Sequence, residues 1–210
     1  MEQDMDWQYT NWLNYKRMGL ALLQQQLNVI DTLYQIIEFE ELMTPDLLGR
    51  VQQILVYDSV HHKAVIADCF LSVLKRFSES AVATYIQYFD FMIDPRIDFL
   101  MTAVYYRKTT AIKYLVETKR CNVKDTISCD FLSILTIKNT RLTALDVLFR
   151  PQSAGERMAF DYGIFEYLCA RGATDINYQT YQNNVGFFKT KPYINVIVDM
   201  SVEYIQNTNI

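Results

Sequence analysis

Glycine and proline are scarce, with six and four residues in a chain of 210. Sandwiches and barrels turn often and tightly, and many of those turns need a positive or a fixed φ, so this scarcity excludes them and leaves helices joined by short loops. The expected fold class is all-α. Long apolar runs are missing as well: Lys, Arg, Asp or Glu interrupts every stretch before the ~18 residues of a membrane span. The opening Met1-Glu2-Gln3-Asp4-Met5-Asp6 lacks the basic and apolar blocks of a secretory signal. The four cysteines, Cys69, Cys121, Cys129 and Cys169, show no Cys-x-x-Cys spacing, and no Asn-x-Ser/Thr acceptor occurs. Chains of reducing compartments have this profile, so a cytoplasmic location is expected, with the nucleus left open.

Catalytic signatures are also absent. There is no Gly-rich phosphate loop, dinucleotide fingerprint, Gly-x-Ser-x-Gly elbow, kinase set or His-Glu-x-x-His. His61 and His62 are neighbours in a polar joint and point to different sides of a helix, which suits solvent better than a metal. Cys121 and Cys129 have no second Cys/His pair to complete a tetrahedral set, while Cys69 and Cys169 lie in apolar helical patterns and read as core. No enzyme activity, no cofactor and no metal are expected.

What is present is half apolar, 14% aromatic and 21% charged, the balance of a folded chain. Charge is uneven along it. Up to Pro95 there are 6 Lys/Arg against 13 Asp/Glu, and after it 14 against 11. The halves carry −7 and +3, which suggests two modules, 1–93 and 94–210. Neither has a basic stripe with interleaved aromatics, so nucleic acid is not expected as a partner.

In the first half, helical stripes are broken by short joints. Trp12, Tyr15, Met18, Leu22 and Leu23 form one stripe, and Leu27 to Ile37 carries the next, closed by Glu38-Phe39-Glu40-Glu41. In Leu42-Met43-Thr44-Pro45-Asp46, Thr44 can cap a helix and Pro45 fits its first position. Further stripes follow at 47–55 and 64–74, and Ser78-Glu79-Ser80 starts the last. On Asn28 to Tyr34, Leu42 to Asp46 and Lys75 to Tyr85, the segment from about Tyr9 to Phe91 resembles a caspase-recruitment domain (CARD), a six-helix bundle of the death fold.

That resemblance implies recruitment of another death-fold domain through charged patches. By element, the acidic face would be Asp31, Glu38, Glu40, Glu41 and Asp46, and the basic face Lys16, Arg17 and Arg50. Two signs on one domain allow head-to-tail self-assembly, although the charge of −7 favours a more basic partner. The plain alternative is a solvated acidic face.

In the second half, two segments align. Asp98 to Tyr105 followed by Ala111 to Val123 matches Leu142 to Phe149 followed by Ile164 to Asn177, with Arg171-Gly172-Ala173 as the sharpest piece. This resembles ankyrin-type repeats, in which each helix pair buries its apolar face by stacking on the next. Lys119 and Arg120 stand where Gly-Ala would be, and Arg150 to Phe160 is inserted. Cys129 to Lys138 is expected as a packing helix, Tyr178 to Lys191 as a polar connection and Tyr193 to Ile205 as a last helix, with a chain cut short there as the alternative. The resemblance places protein contacts at Tyr105, Tyr106, Arg107, Lys108 and Asp125, against solvation as the alternative for the two cations.

The functional expectation is a non-enzymatic adaptor in apoptosis or innate immunity, binding proteins through both modules and no membrane. A second reading stays open: an all-repeat host-interaction protein of a virus or bacterium, with degenerate repeats before Asp94.

Overall fold

The computed structural model describes residues 29–55, 60–128, 141–150, 160–190 and 196–199. The chain is mostly helical and divides into two compact units, Met1–Asp94 and Pro95–Ile210. The stripe from Trp12 to Leu23, Lys16, Arg17, Cys129 and the Cys129–Lys138 segment lie outside the described residues.

In unit 1, helices α1 (Val29–Ile36), α2 (Pro45–Ile54), α3 (Val60–Arg76) and α4 (Glu79–Phe89) are joined by short segments. A 3₁₀ turn, Glu40–Leu42, precedes α2, and another, Asp90–Met92, follows α4. The start of α2 follows from its first residues. Thr44 has extended geometry and accepts from Leu47 N at 3.4 Å, and Pro45 takes the first helical position. Both sequential helices, α1 with α2 and α3 with α4, and alternate ones, α1 with α3 and α2 with α4, pack around Leu33, Leu48, Phe70, Val82 and Tyr85, all sealed from solvent. Tyr85 stacks on Phe70 at 5.8 Å and donates its hydroxyl to Ile66 O at 2.9 Å, so its one polar atom is satisfied in the core. His61 and His62, expected in a joint, lie in the first turn of α3.

Unit 2 begins with α5 (Ile97–Tyr105), α6 (Thr109–Lys113) running into a π turn (Tyr114–Thr118), and strand β1 (Ile127–Ser128). It continues with β2 (Arg141–Leu142), α7 (Ala144–Leu148) and α8 (Tyr162–Ala170). Then come β3 (Asp175–Asn177), α9 (Tyr178–Asn183), α10 (Val185–Lys189) and β4 (Ile197–Asp199). β1 and β2 are antiparallel, with Ile127 opposite Leu142. The two helix pairs, α5/α6 and α7/α8, meet through their first helices, and every residue of α5 from Asp98 to Tyr105 is buried. Such a helix is mostly apolar because it has packing on every side, and its one carboxylate, Asp98, pairs with Arg96.

The far end of unit 2 corrects two expectations. Within Tyr193 to Ile205, the residues Ile197–Asp199 are a strand parallel to β3, not helix. Val196-Ile197-Val198 is a run of β-branched side chains, which are stiff at χ1 and suit a pleated surface. The expected polar connection from Tyr178 holds α9 and α10. Asn177 caps α9 by accepting from Thr180 N at 2.7 Å, and Phe187 joins Phe149, Phe160 and Phe165 in an aromatic cluster.

Candidate functional site

In unit 1, Glu38, Glu40, Glu41 and Asp46 lie between the end of α1 and the first turn of α2, and Asp31 lies in the first turn of α1. Asp31, Glu38 and Glu41 are exposed, and Glu40 is half-buried. Glu40 differs because its carboxylate is engaged. Oε2 accepts from Ser78 N at 3.1 Å and Oε1 accepts from the Ser78 hydroxyl, which in turn accepts from Ala81 N at 3.3 Å to cap α4. Arg76 Nη2 donates to Glu38 O at 3.0 Å, so the backbone of the same turn is held by the end of α3.

Asp46 and Arg50, read from sequence on opposite faces, are one helical turn apart on α2 and pair at 3.4 Å. Four residues of spacing puts two side chains on one face of a helix, so the expected separation of signs does not hold at this pair. An exposed i,i+4 pair of this kind contributes about 0.3–0.5 kcal/mol.

In unit 2 the five expected contact residues have different fates. Tyr105 is 3% exposed and packs edge-on against Tyr106 at 4.9 Å. Arg107 sits at φ 55, directly after α5, and its guanidinium donates to three carbonyls: Tyr105 O, Leu148 O at 2.9 Å and Arg150 O at 3.2 Å. It therefore closes the C-terminal ends of both α5 and α7, where unpaired carbonyls and the helix dipole favour a cation. Lys108 is half-buried at the start of α6, and the exposed Asp125 accepts from Asn122 Nδ2 at 2.8 Å within a turn.

The second pair also carries a polar network that the sequence did not announce. Thr143 and Asp146 cap α7 reciprocally: Asp146 N donates to Thr143 Oγ1 at 3.2 Å, and Thr143 N donates to Asp146 Oδ2 at 2.9 Å. The other oxygen of Asp146 accepts from Asn177 N at 2.9 Å, binding α7 to β3. Thr143 Oγ1 lies 3.1 Å from Asp146 Oδ2 and 2.8 Å from Asp175 O, with one proton for the two acceptors. Burial lifts the Asp146 carboxyl above its ordinary value, and the bonds from Thr143 and Asn177 oppose that rise. The one local signal for it is the spacing Thr143-x-x-Asp146, a capping-box pattern.

Above this network opens a cleft of about 550 Å³. Its lining includes Thr126, Arg141, Thr143 and Asp146, the strand residues Asp175 to Asn177, and Ile197 and Val198. Ile197 is 61% exposed there. The cleft offers an exposed guanidinium, hydroxyls and an aliphatic side chain, groups that suit an extended segment of mixed polarity.

Among the described residues, the three thiols are all shifted away from the thiolate form. Burial pushes the Cys69 thiol up to about 12 and the Cys169 thiol to about 11, and raises that of Cys121. Among the described residues no group of three or more His, Cys, Asp or Glu could hold a metal ion, and no helix is long and apolar enough to cross a membrane. No family model matches the chain, and no curated protein and no solved structure matches it either.

Proposed function

We propose that the chain is a non-enzymatic adaptor, with a CARD-like unit 1 that recruits another death-fold domain and an ankyrin-like unit 2 that binds a second protein. The observation that carries this reading for unit 2 is the junction between its helix pairs. The first helices of the pairs pack together, an antiparallel ladder lies between the pairs, and Thr143 and Asp146 tie the second pair to β3. A stack of short helix pairs buries its faces in this way and leaves strand tips and a cleft for a partner. For unit 1 the support is two exposed carboxylates, Glu38 and Glu41, in the joint between α1 and α2, with Asp31 exposed at the start of α1, on a half-chain charged −7.

Charge reversal tests the recruitment role. Glu38→Lys with Glu41→Lys spares Glu40, whose carboxylate holds the start of α4. Titration of this variant against purified, net-basic recruitment domains by calorimetry should show at least tenfold weaker binding. Its stability should stay within about 0.5 kcal/mol of the parent. Binding equal to the parent's across a salt series would reduce the acidic turn to a solvated face.

The all-repeat reading is favoured by one feature of unit 1. Beside the contacts of α1 with α2 and of α3 with α4, next-but-one helices also pack, α1 on α3 and α2 on α4, as in stacked helix pairs. A fragment 1–94 separates the two. Cooperative melting of the isolated fragment supports a recruitment domain, and a molten fragment beside a stable full chain supports the continuous stack.

A further inference from the structure

We propose that Ser78 is a phosphoacceptor for a basophilic serine/threonine kinase, and that its phosphate releases the acidic turn Glu40–Leu42 from the start of α4. Lys75 and Arg76 stand three and two residues before Ser78, and both are exposed. Kinases of that class select a serine by basic residues at those two places, which pair with carboxylates in the kinase groove. Ser78 is itself exposed, in the two-residue joint between α3 and α4. Arg76 gives one bond to a backbone carbonyl, Glu38 O, which a kinase carboxylate can replace with a stronger, charge-assisted one.

The consequence follows from what Ser78 holds. Its hydroxyl donates to Glu40, and its N–H donates to Glu40 Oε2 at 3.1 Å, across 38 residues of sequence. In the transfer, Ser78 Oγ attacks the γ-phosphorus of ATP and gives its proton to the kinase's base. The bond from that phosphorus to the β-bridging oxygen breaks, and ADP leaves.

Phosphoserine then presents oxygens that accept and carries close to two negative charges. Glu40 also only accepts, the hydroxyl proton that joined the two groups has gone, and the one bond left, from Ser78 N, is set against the repulsion of two anions. The N–H groups in the first turn of α4 and the nearby Arg76 suit the phosphate better than a carboxylate, so the phosphate keeps the cap and Glu40 is expelled. The helix start survives while the acidic turn loses its anchor, and Glu38, Glu40 and Glu41 are presented differently to any partner.

The test uses the full chain, the catalytic subunit of cyclic-AMP-dependent kinase and Mg-ATP, with mass spectrometry to place the phosphate. One phosphate at Ser78 is expected. Ser78→Asn, which removes the acceptor hydroxyl but still caps a helix, should abolish incorporation, and Lys75→Ala with Arg76→Ala should slow it at least tenfold. Phosphorylation should raise amide exchange of residues 40–43 at least tenfold. That rise should vanish in Glu40→Gln, whose amide can donate to the phosphate. No incorporation while a control peptide is turned over, phosphate on Ser80 instead, or incorporation at Ser78 with unchanged exchange at 40–43 would each overturn the proposal.

Discussion

The two helix pairs of unit 2 solve the same packing problem with different polar chemistry. In the alignment of Asp98–Tyr105 with Leu142–Phe149, Thr102 and Asp146 take the same place. Asp146 is fully buried and bonded to its own cap and to Asn177 N, whereas the Thr102 hydroxyl is buried with no hydrogen-bond partner. Where a further element must be tied on, the chain supplies a carboxylate. At the aligned place in the first pair it tolerates a buried hydroxyl that nothing meets.

The pairs also end differently. After α8, Gly172 at φ 94 closes the helix, with Ala173 N bonding to Leu168 O and Gly172 N to Cys169 O. After α6 the π turn adds one residue, so the corresponding closure runs from Cys121 N to Leu115 O and the left-handed position falls on Arg120, at φ 61. One inserted residue has moved a backbone geometry made for glycine onto an arginine.

Removing the carboxylate of the second pair should have the largest effect. Asp146→Ala leaves Thr143 N and Asn177 N without their acceptor and is expected to cost about 3 kcal/mol by urea denaturation. The raised pKa adds a pH signature. With the folded value above the unfolded one, the native state binds the proton more tightly. The contribution of Asp146 is then greatest below the ordinary carboxylate range and falls as pH rises through the raised value. The stability difference between parent and Asp146→Asn should change with pH in that window and level off above it. A difference independent of pH would show that the carboxyl is not perturbed.

The next effect concerns the clamp that joins the pairs. Arg107→Met keeps the aliphatic stem but leaves the carbonyls of Leu148 and Arg150 without the guanidinium, at a cost of about 2 kcal/mol. Arg107→Gly relaxes the positive φ and loses the same bonds, so it should still destabilise, though by about 1 kcal/mol less than Met. Equal stability of Arg107→Gly and the parent would make the clamp decorative.

Chain-local features could be read before the structure, and contacts between distant residues could not. Thr44-Pro45 starts α2 and Gly172 ends α8 because capping chemistry lies within a few residues of the helix end. The Asp46–Arg50 pair was equally open to reading from its spacing of four. Arg107, by contrast, bonds carbonyls 41 and 43 residues away, and Glu40 bonds Ser78 across 38, so nothing in the neighbouring sequence reveals that either side chain is already engaged. Val196-Ile197-Val198 has no strong period over three residues, and its strand depends on β3 as a template.

Arg120→Gly should stabilise, because glycine takes φ 61 without the Cβ clash that costs an L-residue about 1 kcal/mol. Extra freedom in the unfolded chain takes back part of that gain, so about 0.5 kcal/mol should remain. Gly172→Ala is the reciprocal change. It should lose about 1 kcal/mol, because φ 94 is strained for alanine and its Cβ would also meet Lys124 Cε at 3.3 Å. Thermal melts of the two variants should move in opposite directions if both helix ends rest on the same left-handed residue.

The smallest effect is expected when Thr102 is replaced by its apolar near-isostere. Thr102→Val replaces an unpaired buried hydroxyl by a methyl of nearly the same shape, so a desolvation cost disappears and no bond is lost. The gain should be about 0.5 kcal/mol, the low end of the cost of burying a hydroxyl that nothing meets. Thr102→Asp carries the comparison the other way, because it copies the carboxylate of the second pair into a site with no donors to meet it. That variant should lose several times what valine gains, about 3 kcal/mol, with the loss shrinking as the pH falls and the new carboxyl takes up its proton. A Thr102→Asp protein as stable as the parent at neutral pH would mean that α5 can find donors for a carboxylate after all, and that the two pairs differ in sequence but not in what their first helices accept.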